Sequence, residues 1–494
     1  MASGASRARG QICLGIVATL TVALTAVSIA HALDRYQSLN TGWSWDLAYY
    51  NQWLWALTRG DGRLTVRPIA AYATEGPMVW QTNYLAPVRL LLVPVYYLAP
   101  GPKTLLVVHS LAFWLVVPAA FTLARAESGS DLVGLAAATL VPFTPLLWPL
   151  AWNDFRELQM AIPFVLWSVQ GVRSRNARLA ALGIAGVLAC RQEFAAFTVS
   201  LAVIPARGPE DVGRTYRWVH ALIFVGLAWF LFGFFGYLRA FVSSNAPTLY
   251  LSQFEGEKPS VSETLKTAGE LLALGLGAWV LFLGHAPRVT LIMLPWLWNL
   301  AGGRWSVRFL SEEDWHHVRY AAPFVATGLA AAVSGFGRFG ATLEGKPWGL
   351  LRLAAVWLAL AGVSLLGLID LKHRMDRLPP ILAPAEAREV WTWIDRVGPD
   401  DGVLACYEVS APLSSRRLLY SYVLDTNKPR GYPTLPASIG WVFYRNRDGD
   451  TKVFERQGFE RVYRGRFLTI LRRAAVGVSG AQNKIGIRAN NSGG

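Results

Sequence analysis

The stretch WSWDLAYYNQWLW, residues Trp43–Trp55, decides how the chain is interpreted, because it places the carboxylate of Asp46 just beyond the first long apolar segment. Its aromatic side chains are of the kind that concentrates at the lipid–water interface. An acid at the end of a membrane helix is costly unless it faces a polar cavity, so it indicates function by default. The alternative is an ordinary loop acid beside an aromatic belt, and this stretch alone does not separate the two.

The composition is that of a membrane protein. Hydrophobic residues make up 53% of the 494 residues, charged residues only 16%, and the mean hydropathy is +0.32. The 21 tryptophans fit interfacial belts better than a soluble core. The net charge of +15 is scattered through short loops, which favours topology signals and anionic lipid over nucleic acid as a partner. The three cysteines, Cys13, Cys190 and Cys406, are far apart and predict neither disulfides nor a metal site.

Apolar runs of membrane-spanning length predict about eleven transmembrane helices. The runs lie near residues 12–31, 103–124, 131–150, 158–172, 177–190, 194–206, 217–241, 267–284, 287–301, 320–337 and 348–369. Alternate connections are short and basic, as the positive-inside rule requires, and this places the N-terminus in the cytoplasm. We expect residues 1–375 to form the membrane domain, with the first helix retained although Ala30-His31-Ala32 resembles a signal-peptidase site.

The long segments then fall on the external side. The first external loop covers residues 32–102, and its part around residues 84–97 is predicted to be a proline-kinked helix along the interface. Polar, mixed sequence with short β-rich pieces predicts a small external α/β domain over residues 380–475. Residues 476–494 are rich in Gly, Ser and Asn and are expected to be disordered.

Three further groups of ionisable residues lie at predicted external helix ends. They are Asp154 with Arg156 and Glu157, Arg191 with Glu193, and His316-His317 with Arg319 and Tyr320. If these loops converge, a carboxylate that accepts a proton beside arginines that bind a phosphate suits glycosyl transfer from a lipid phosphate. The structural alternatives are an interfacial salt-bridge cluster at residues 154–157 and a plain Arg191–Glu193 ion pair. Adjacent helical histidines point about 100° apart, so one at most faces a shared site.

The pattern Asp46-Leu-x-x-x-x-Gln52-x-x-Trp55 resembles the first-loop signature of a large family of bacterial polytopic membrane proteins of unknown function, related to the GT-C glycosyltransferases. The resemblance continues at Asn83-Tyr-Leu-Ala-Pro87, Asn153-Asp154-Phe155, Arg191-Gln-Glu193 and His316-His317-x-x-Tyr320, and covers most of the chain. The family tends to have histidine at the position of Asn83 and a different sequence at Arg156-Glu157, which leaves the roles of those positions open.

The resemblance implies an α-helical, GT-C-like integral membrane protein with Asp46 as the first-loop catalytic acid, acting as general base or metal contact. The predicted function is transfer of a sugar from a polyprenyl-phosphate donor to an acceptor on the periplasmic face of the bacterial inner membrane. Asp154 and Glu193 complete the predicted catalytic set. The predicted substrate-binding residues are Tyr50, Gln52, Asn83, Arg156, Glu157, Arg191, His316, His317, Arg319 and Tyr320. Mg²⁺ or Mn²⁺ is a candidate cofactor, and no carboxylate motif in the sequence indicates whether a metal ion is bound.

Two other classes stay open at this point. A transporter or flippase for a lipid-linked or anionic solute would use the external charges as gates, and charged residues in both leaflets would favour it. A non-catalytic envelope assembly protein would use the terminal domain to bind a partner. The chain has no P-loop, dinucleotide-binding glycine pattern, GxSxG or HExxH motif, which argues against nucleotide-driven pumping.

Overall fold

A computed structural model describes residues 4–41, 44–64, 78–80, 84–204, 212–242, 260–296, 315–376, 382–421 and 434–474. Helices dominate the chain up to residue 376, and a small α/β domain follows. The helices of the first part are α1 (Gly4–Gln37), α2 (Ser44–Thr58), α3 (Val88–Leu98), α4 (Pro102–Trp114), α5 (Val116–Ser128), α6 (Asp131–Leu140), α7 (Leu147–Trp152), α8 (Glu157–Arg173), α9 (Ala177–Cys190), α10 (Ala195–Ser200), α11 (Val212–Leu231), α12 (Val261–Leu276), α13 (Pro287–Thr290), α14 (Ala322–Leu343) and α15 (Gly349–Asp376). A π-helix (Phe232–Val242) extends α11, and 3-10 segments include Val141–Phe143, Gln192–Phe194, Leu201–Val203, Gly277–His285, Leu291–Met293 and Trp315–Ala321.

The membrane character predicted from composition is confirmed. Among the described residues, five helices are long and apolar enough to cross a bilayer: Arg7–Gln37, Pro102–Ser128, His220–Phe241, Val318–Leu343 and Gly349–His373. Shorter apolar helices lie at Val88–Leu98, Asp131–Phe143, Ala177–Cys190 and Gln192–Val203. The predicted run at 131–150 is broken into α6 and α7 around Pro142 and Pro145, because proline lacks the N–H that a helix interior needs. The count of eleven spans stays a prediction.

Helix α14 is the central helix of the bundle. In the span Val318–Leu343 that contains it, 94% of the most apolar window is buried inside the protein. Small residues permit this close packing: a Cβ at Gly335 would lie 2.0 Å from the carbonyl oxygen of Phe282 in the 3-10 segment Gly277–His285. The helix also packs against α5 and α8. The ends of α14 therefore define the two ends of the bundle.

A buried ion cluster ties three helices together at one of these ends. Glu127, near the end of α5, accepts from Arg173 at the end of α8, with Nε–Oε1 at 2.5 Å and Nη2–Oε2 at 2.8 Å. From α14, Ser334 donates to Glu127 at 3.0 Å and Arg338 lies 3.5 Å away. We call this group the Glu127 cluster. It marks the end of the bundle opposite to the one that carries Asp46.

The C-terminal part forms a five-stranded sheet with short helices. Its strands are β1 (Gly402–Ala405), β2 (Leu419–Ser421), β3 (Ile439–Arg445), β4 (Phe459–Arg464) and β5 (Leu468–Arg473), and its helices α16 (Pro384–Ile394), α17 (Tyr407–Ser410) and α18 (Lys452–Glu455). The strand order is β2-β1-β3-β5-β4, with β1 parallel to β2 and β3, and β5 antiparallel to β3 and β4. A small C-terminal α/β unit was thus correctly predicted, whereas the limits 380–475 stay a prediction. The tail at 476–494 lies outside the described residues.

This domain docks onto α2 in the membrane part. Helix α17 packs against α2, and the amide of Gln52 donates to the carbonyl oxygen of Arg416 at 3.1 Å. Gln52 is fully buried. The predicted substrate-binding residue Gln52 is therefore placed at the boundary between the two parts of the protein.

Candidate active site

Asp46 lies in the first turn of α2 and forms ion pairs with two arginines from distant parts of the chain. Arg156 directly precedes α8, and its Nη2 pairs with Oδ2 of Asp46. Arg319 lies in the 3-10 segment before α14, and its Nη1 is 3.2 Å from the same oxygen. All three residues are at most 9% exposed. Three of the four loops that were expected to converge from the sequence thus meet at one carboxylate.

Aromatic side chains hold the guanidinium groups in place. Tyr50 lies one helical turn after Asp46 on α2, and its ring faces the guanidinium carbons of Arg89 at 4.9 Å and Arg156 at 5.9 Å. The ring of Tyr320 lies 5.0 Å from the guanidinium carbon of Arg319. Tyr50 and Tyr320 therefore contribute to the site by packing against its cations.

Arg89 and Glu157 form a second buried pair beside the first. Their Nη2–Oε1 distance is 2.7 Å, and the two side chains are 3% and 0% exposed. Glu157 is the first residue of α8, where the helix dipole also favours a carboxylate. Arg89 was not singled out in the sequence, because it lies within the stretch interpreted as an interfacial helix. The pair is electrically neutral and joins α3 to α8.

The sequence left two alternatives for Arg191 and Glu193, a functional role or a plain ion pair. In the structure they form the ion pair. The Nε of Arg191 lies 3.0 Å from Oε2 of Glu193, and the ring of Tyr84 lies 3.6 Å from the guanidinium carbon. Between them, Gln192 accepts a hydrogen bond from the backbone N–H of Leu85. This pair therefore anchors the segment that leads into α3.

Asp154 is buried in the loop between α7 and α8 and makes no direct ion pair with the described residues. Burial raises the pKa of its carboxyl group to about 6, although Arg35 and Arg319 nearby oppose the shift. Arg35 donates to the backbone carbonyls of Trp152 and Asn40, which holds it near the loop. Arg35 was not predicted as a site residue, because it lies just after the apolar run 12–31, whereas in the structure α1 continues to Gln37.

The site carries excess positive charge. The pairs Arg89–Glu157 and Arg191–Glu193 cancel, which leaves, among the residues that the structure describes, three cations against the carboxylates of Asp46 and Asp154. The three cations are Arg35, Arg156 and Arg319. With both acids ionised the balance is one positive charge, and it rises to two when Asp154 is protonated. Such a buried excess of guanidinium groups suits an anionic ligand, above all a phosphate, which matches the fork of arginine donors.

Not every predicted site residue can be placed. Asn83 lies outside the described residues, and so do the side chains of His316 and His317. Across the described part of the chain, no three His, Cys, Asp or Glu side chains lie close enough to hold a metal ion. Mg²⁺ or Mn²⁺ therefore stays a prediction from sequence.

Comparison with known proteins agrees with this architecture. A family model described as predicted membrane protein (DUF2079) matches residues 35–462. The chain belongs to this family. Its matched region includes Asp46, Arg156 and Arg319 and most of the C-terminal domain. No curated protein matches the chain.

A solved structure shares the fold. The crystal structure of ArnT from Cupriavidus metallidurans, bound to undecaprenyl phosphate, superimposes with a TM-score of 0.55 at 12% sequence identity. The match covers 93% of this chain and 98% of ArnT. ArnT is a GT-C glycosyltransferase, so the chain has a GT-C-like fold, as the sequence resemblance implied.

Proposed function

We propose that this membrane protein is a glycosyltransferase that moves a sugar from a polyprenyl-phosphate donor to an acceptor hydroxyl. The observation that carries the proposal is the buried carboxylate of Asp46 between Arg156 and Arg319, at a helix end of a GT-C-like bundle. A buried carboxylate beside two arginines supplies the two functions that such a transfer needs, a proton acceptor and a phosphate-binding site. The fold match to a protein bound to undecaprenyl phosphate supports the choice of lipid.

The proposed reaction is a single displacement. The acceptor oxygen attacks the anomeric carbon, the bond from that carbon to the phosphate oxygen breaks, and the acceptor proton passes to Asp46. The leaving polyprenyl phosphate gains negative charge, which Arg156 and Arg319 stabilise in their buried setting. Attack from the face opposite the phosphate inverts the anomeric configuration.

The remaining predicted residues take supporting roles in this proposal. Asp154 and Glu193 orient sugar hydroxyls or modulate the charge around Asp46, while Arg191 supports the phosphate end of the site. The acceptor would approach from the side on which the C-terminal domain docks, since that domain packs on the helix that carries Asp46 in its first turn. We place this side in the periplasm of a bacterial inner membrane, with the N-terminus in the cytoplasm.

One observation favours a second candidate, a transporter or flippase. Buried charges lie at both ends of the bundle, because the Glu127 cluster is opposite the Asp46 site. However, Glu127 is bonded by Arg173 and Ser334 and lies near Arg338, which suits a fixed connection between helix ends. The glycosyltransferase therefore remains the stronger proposal.

The test is sugar transfer from a panel of labelled polyprenyl-phosphate sugars by full-length protein in nanodiscs. Wild type should form product, and Asp46→Asn should lose about 10²–10⁴-fold in rate, the range typical for a removed general base. Asp61→Asn is the matched control, because Asp61 is an exposed acid after α2 and should leave the rate unchanged. Addition of EDTA decides whether a divalent cation is needed. Donor binding without turnover, equal in wild type and Asp46→Asn, would instead favour the transporter.

A further inference from the structure

In the structure, the carboxylate of Asp46, the proposed proton acceptor, is already engaged in ion pairs. One oxygen of Asp46, Oδ2, contacts both Arg156 and Arg319. A carboxylate in two buried ion pairs is a weak base, because proton uptake would leave two guanidinium groups without their counter-charge. Asp46 must therefore lose at least part of these contacts before it can accept a proton from an acceptor hydroxyl.

The same two arginines are the ones best suited to the donor phosphate. The other cations around the site already have partners: Arg89 pairs with Glu157, Arg191 with Glu193, and Arg35 donates to backbone carbonyls. The Nε of Arg156 is buried without a hydrogen-bond partner in the described part of the chain, so this arginine has a donor to spare. A phosphate offers more acceptor oxygens than the single Oδ2 that the two arginines now share.

We propose that the donor phosphate and Asp46 compete for Arg156 and Arg319, so that donor binding releases the Asp46 carboxylate and the acceptor reacts only after the donor is bound. This inference rests on the proposed function and specifies its order of binding. It also gives Arg156 and Arg319 a second role, since in the absence of donor they keep the base inactive.

After the reaction, the carboxylate of Asp46 and the phosphate exchange places on the two arginines again, in the opposite direction. The donor is a phosphodiester with one negative charge, whereas the polyprenyl phosphate product is a monoester that can carry two. The proton removed from the acceptor lies on Asp46 at that moment. When Asp46 gives this proton to water, its restored carboxylate competes again for Arg156 and Arg319 and helps displace the product phosphate.

The experiment measures equilibrium binding of a fluorescent short-chain polyprenyl phosphate to the full-length protein in nanodiscs. Asp46→Asn keeps the shape of the side chain and removes the competing charge, so it should bind the probe about tenfold more tightly than wild type. Asp154→Asn is the matched control, because it also turns a buried acid of this site into an amide but does not free the two arginines. It should tighten binding much less. Arg156→Gln should weaken binding.

Several outcomes overturn the inference, and they differ from failure of the proposed function. Equal affinities of wild type and Asp46→Asn, or equal tightening in Asp46→Asn and Asp154→Asn, would show that Asp46 does not compete specifically. Donor binding, and with it the proposed function, would survive either result. Absence of probe binding by folded wild type would overturn both. If Asp46→Asn does not fold, Asp46→Ala removes the same charge and carries the same expectation.

Discussion

The side-chain amide nitrogen of Asn51 donates to the hydroxyl oxygen of Ser414 at 2.8 Å and thereby joins the membrane part to the C-terminal domain. The same nitrogen lies 3.0 Å from the hydroxyl of Ser415, and Oδ1 of Asn51 accepts from the hydroxyl of Tyr96 at 2.8 Å. Asn51 is fully buried. One side chain of α2 thus connects α3 with the domain that follows the last membrane helix.

Removal of this amide should loosen the docked domain. Asn51→Ala removes the side-chain hydrogen bonds to Ser414 and Tyr96 from a buried interface, and we expect a loss of about 1–3 kcal/mol in the free energy of unfolding. Hydrogen–deuterium exchange should increase across α2. Asn446→Ala is the control, because Asn446 bonds within the C-terminal domain to the carbonyls of Gly465 and Arg466. If both variants increase exchange in α2 equally, Asn51 does not hold the interface.

The Glu127 cluster should be critical for stability. Glu127→Gln leaves Arg173 and Arg338 without their buried counter-charge, so thermal unfolding should reveal a loss of about 3–5 kcal/mol. Glu455→Gln breaks the partly exposed pair with Arg461 and should cost far less, because solvent screens that pair. Similar losses for the two variants would contradict a special role for the cluster.

Two glycines in membrane helices should respond oppositely to the same substitution. Gly335→Ala forces α14 away from the carbonyl of Phe282 and should destabilise the protein by about 1–3 kcal/mol. Gly362→Ala in α15 meets nothing within 4 Å, and alanine favours the helix, so its melting temperature should stay equal or rise slightly. A melting temperature of Gly335→Ala that matches wild type would argue against the close approach of α14.

Stability should depend on pH through Asp154. Its pKa of about 6 in the folded protein lies above the ordinary value of 3.8, so the folded state binds more protons between these values than the unfolded state does. The corresponding stabilisation is present at low pH and is lost as the pH rises through about 6. The melting temperature of Asp154→Asn should therefore fall less than that of wild type between about pH 4 and 6. The melting temperature of Asp61→Asn should change with pH as that of wild type does. A wild-type melting temperature that does not change over this pH range would contradict the raised pKa of Asp154.

The sequence predicted the parts of the site that lie at the ends of apolar runs. Asp46, Arg156 and Arg319 stand out there because a charge at a helix end is costly unless it has a purpose. Their mutual pairing was not predictable, since hydropathy shows which residues lie at the same end of a bundle but not which of them touch. Arg35 and Arg89 were missed because both lie in the predicted first external loop, Arg35 just after the first apolar run and Arg89 within the predicted interfacial helix.

The sequence also did not show that residues of α2 face two different surfaces. The pattern from Asp46 to Trp55 suggested one functional surface, and Gln52 was assigned to the substrate. In the structure Asp46 faces the arginines, whereas Asn51 and Gln52 face the C-terminal domain. A helix turns about 100° per residue, so a compact motif can serve two surfaces. The contacts of the C-terminal domain, which lies far along the chain, show which residues of α2 face which surface.

The burial of α14 has a consequence for how the protein is made. This helix is synthesised after α1 to α13, yet it occupies the centre of the bundle and packs against α5 and α8. The arrangement of the earlier helices around α14 can therefore be completed only after α14 has left the ribosome. Arg319 and Arg338 arrive with it and meet Asp46 and Glu127 at its two ends. A nascent chain that stops before residue 315 contains Asp46 and Glu127 but cannot complete either ion cluster.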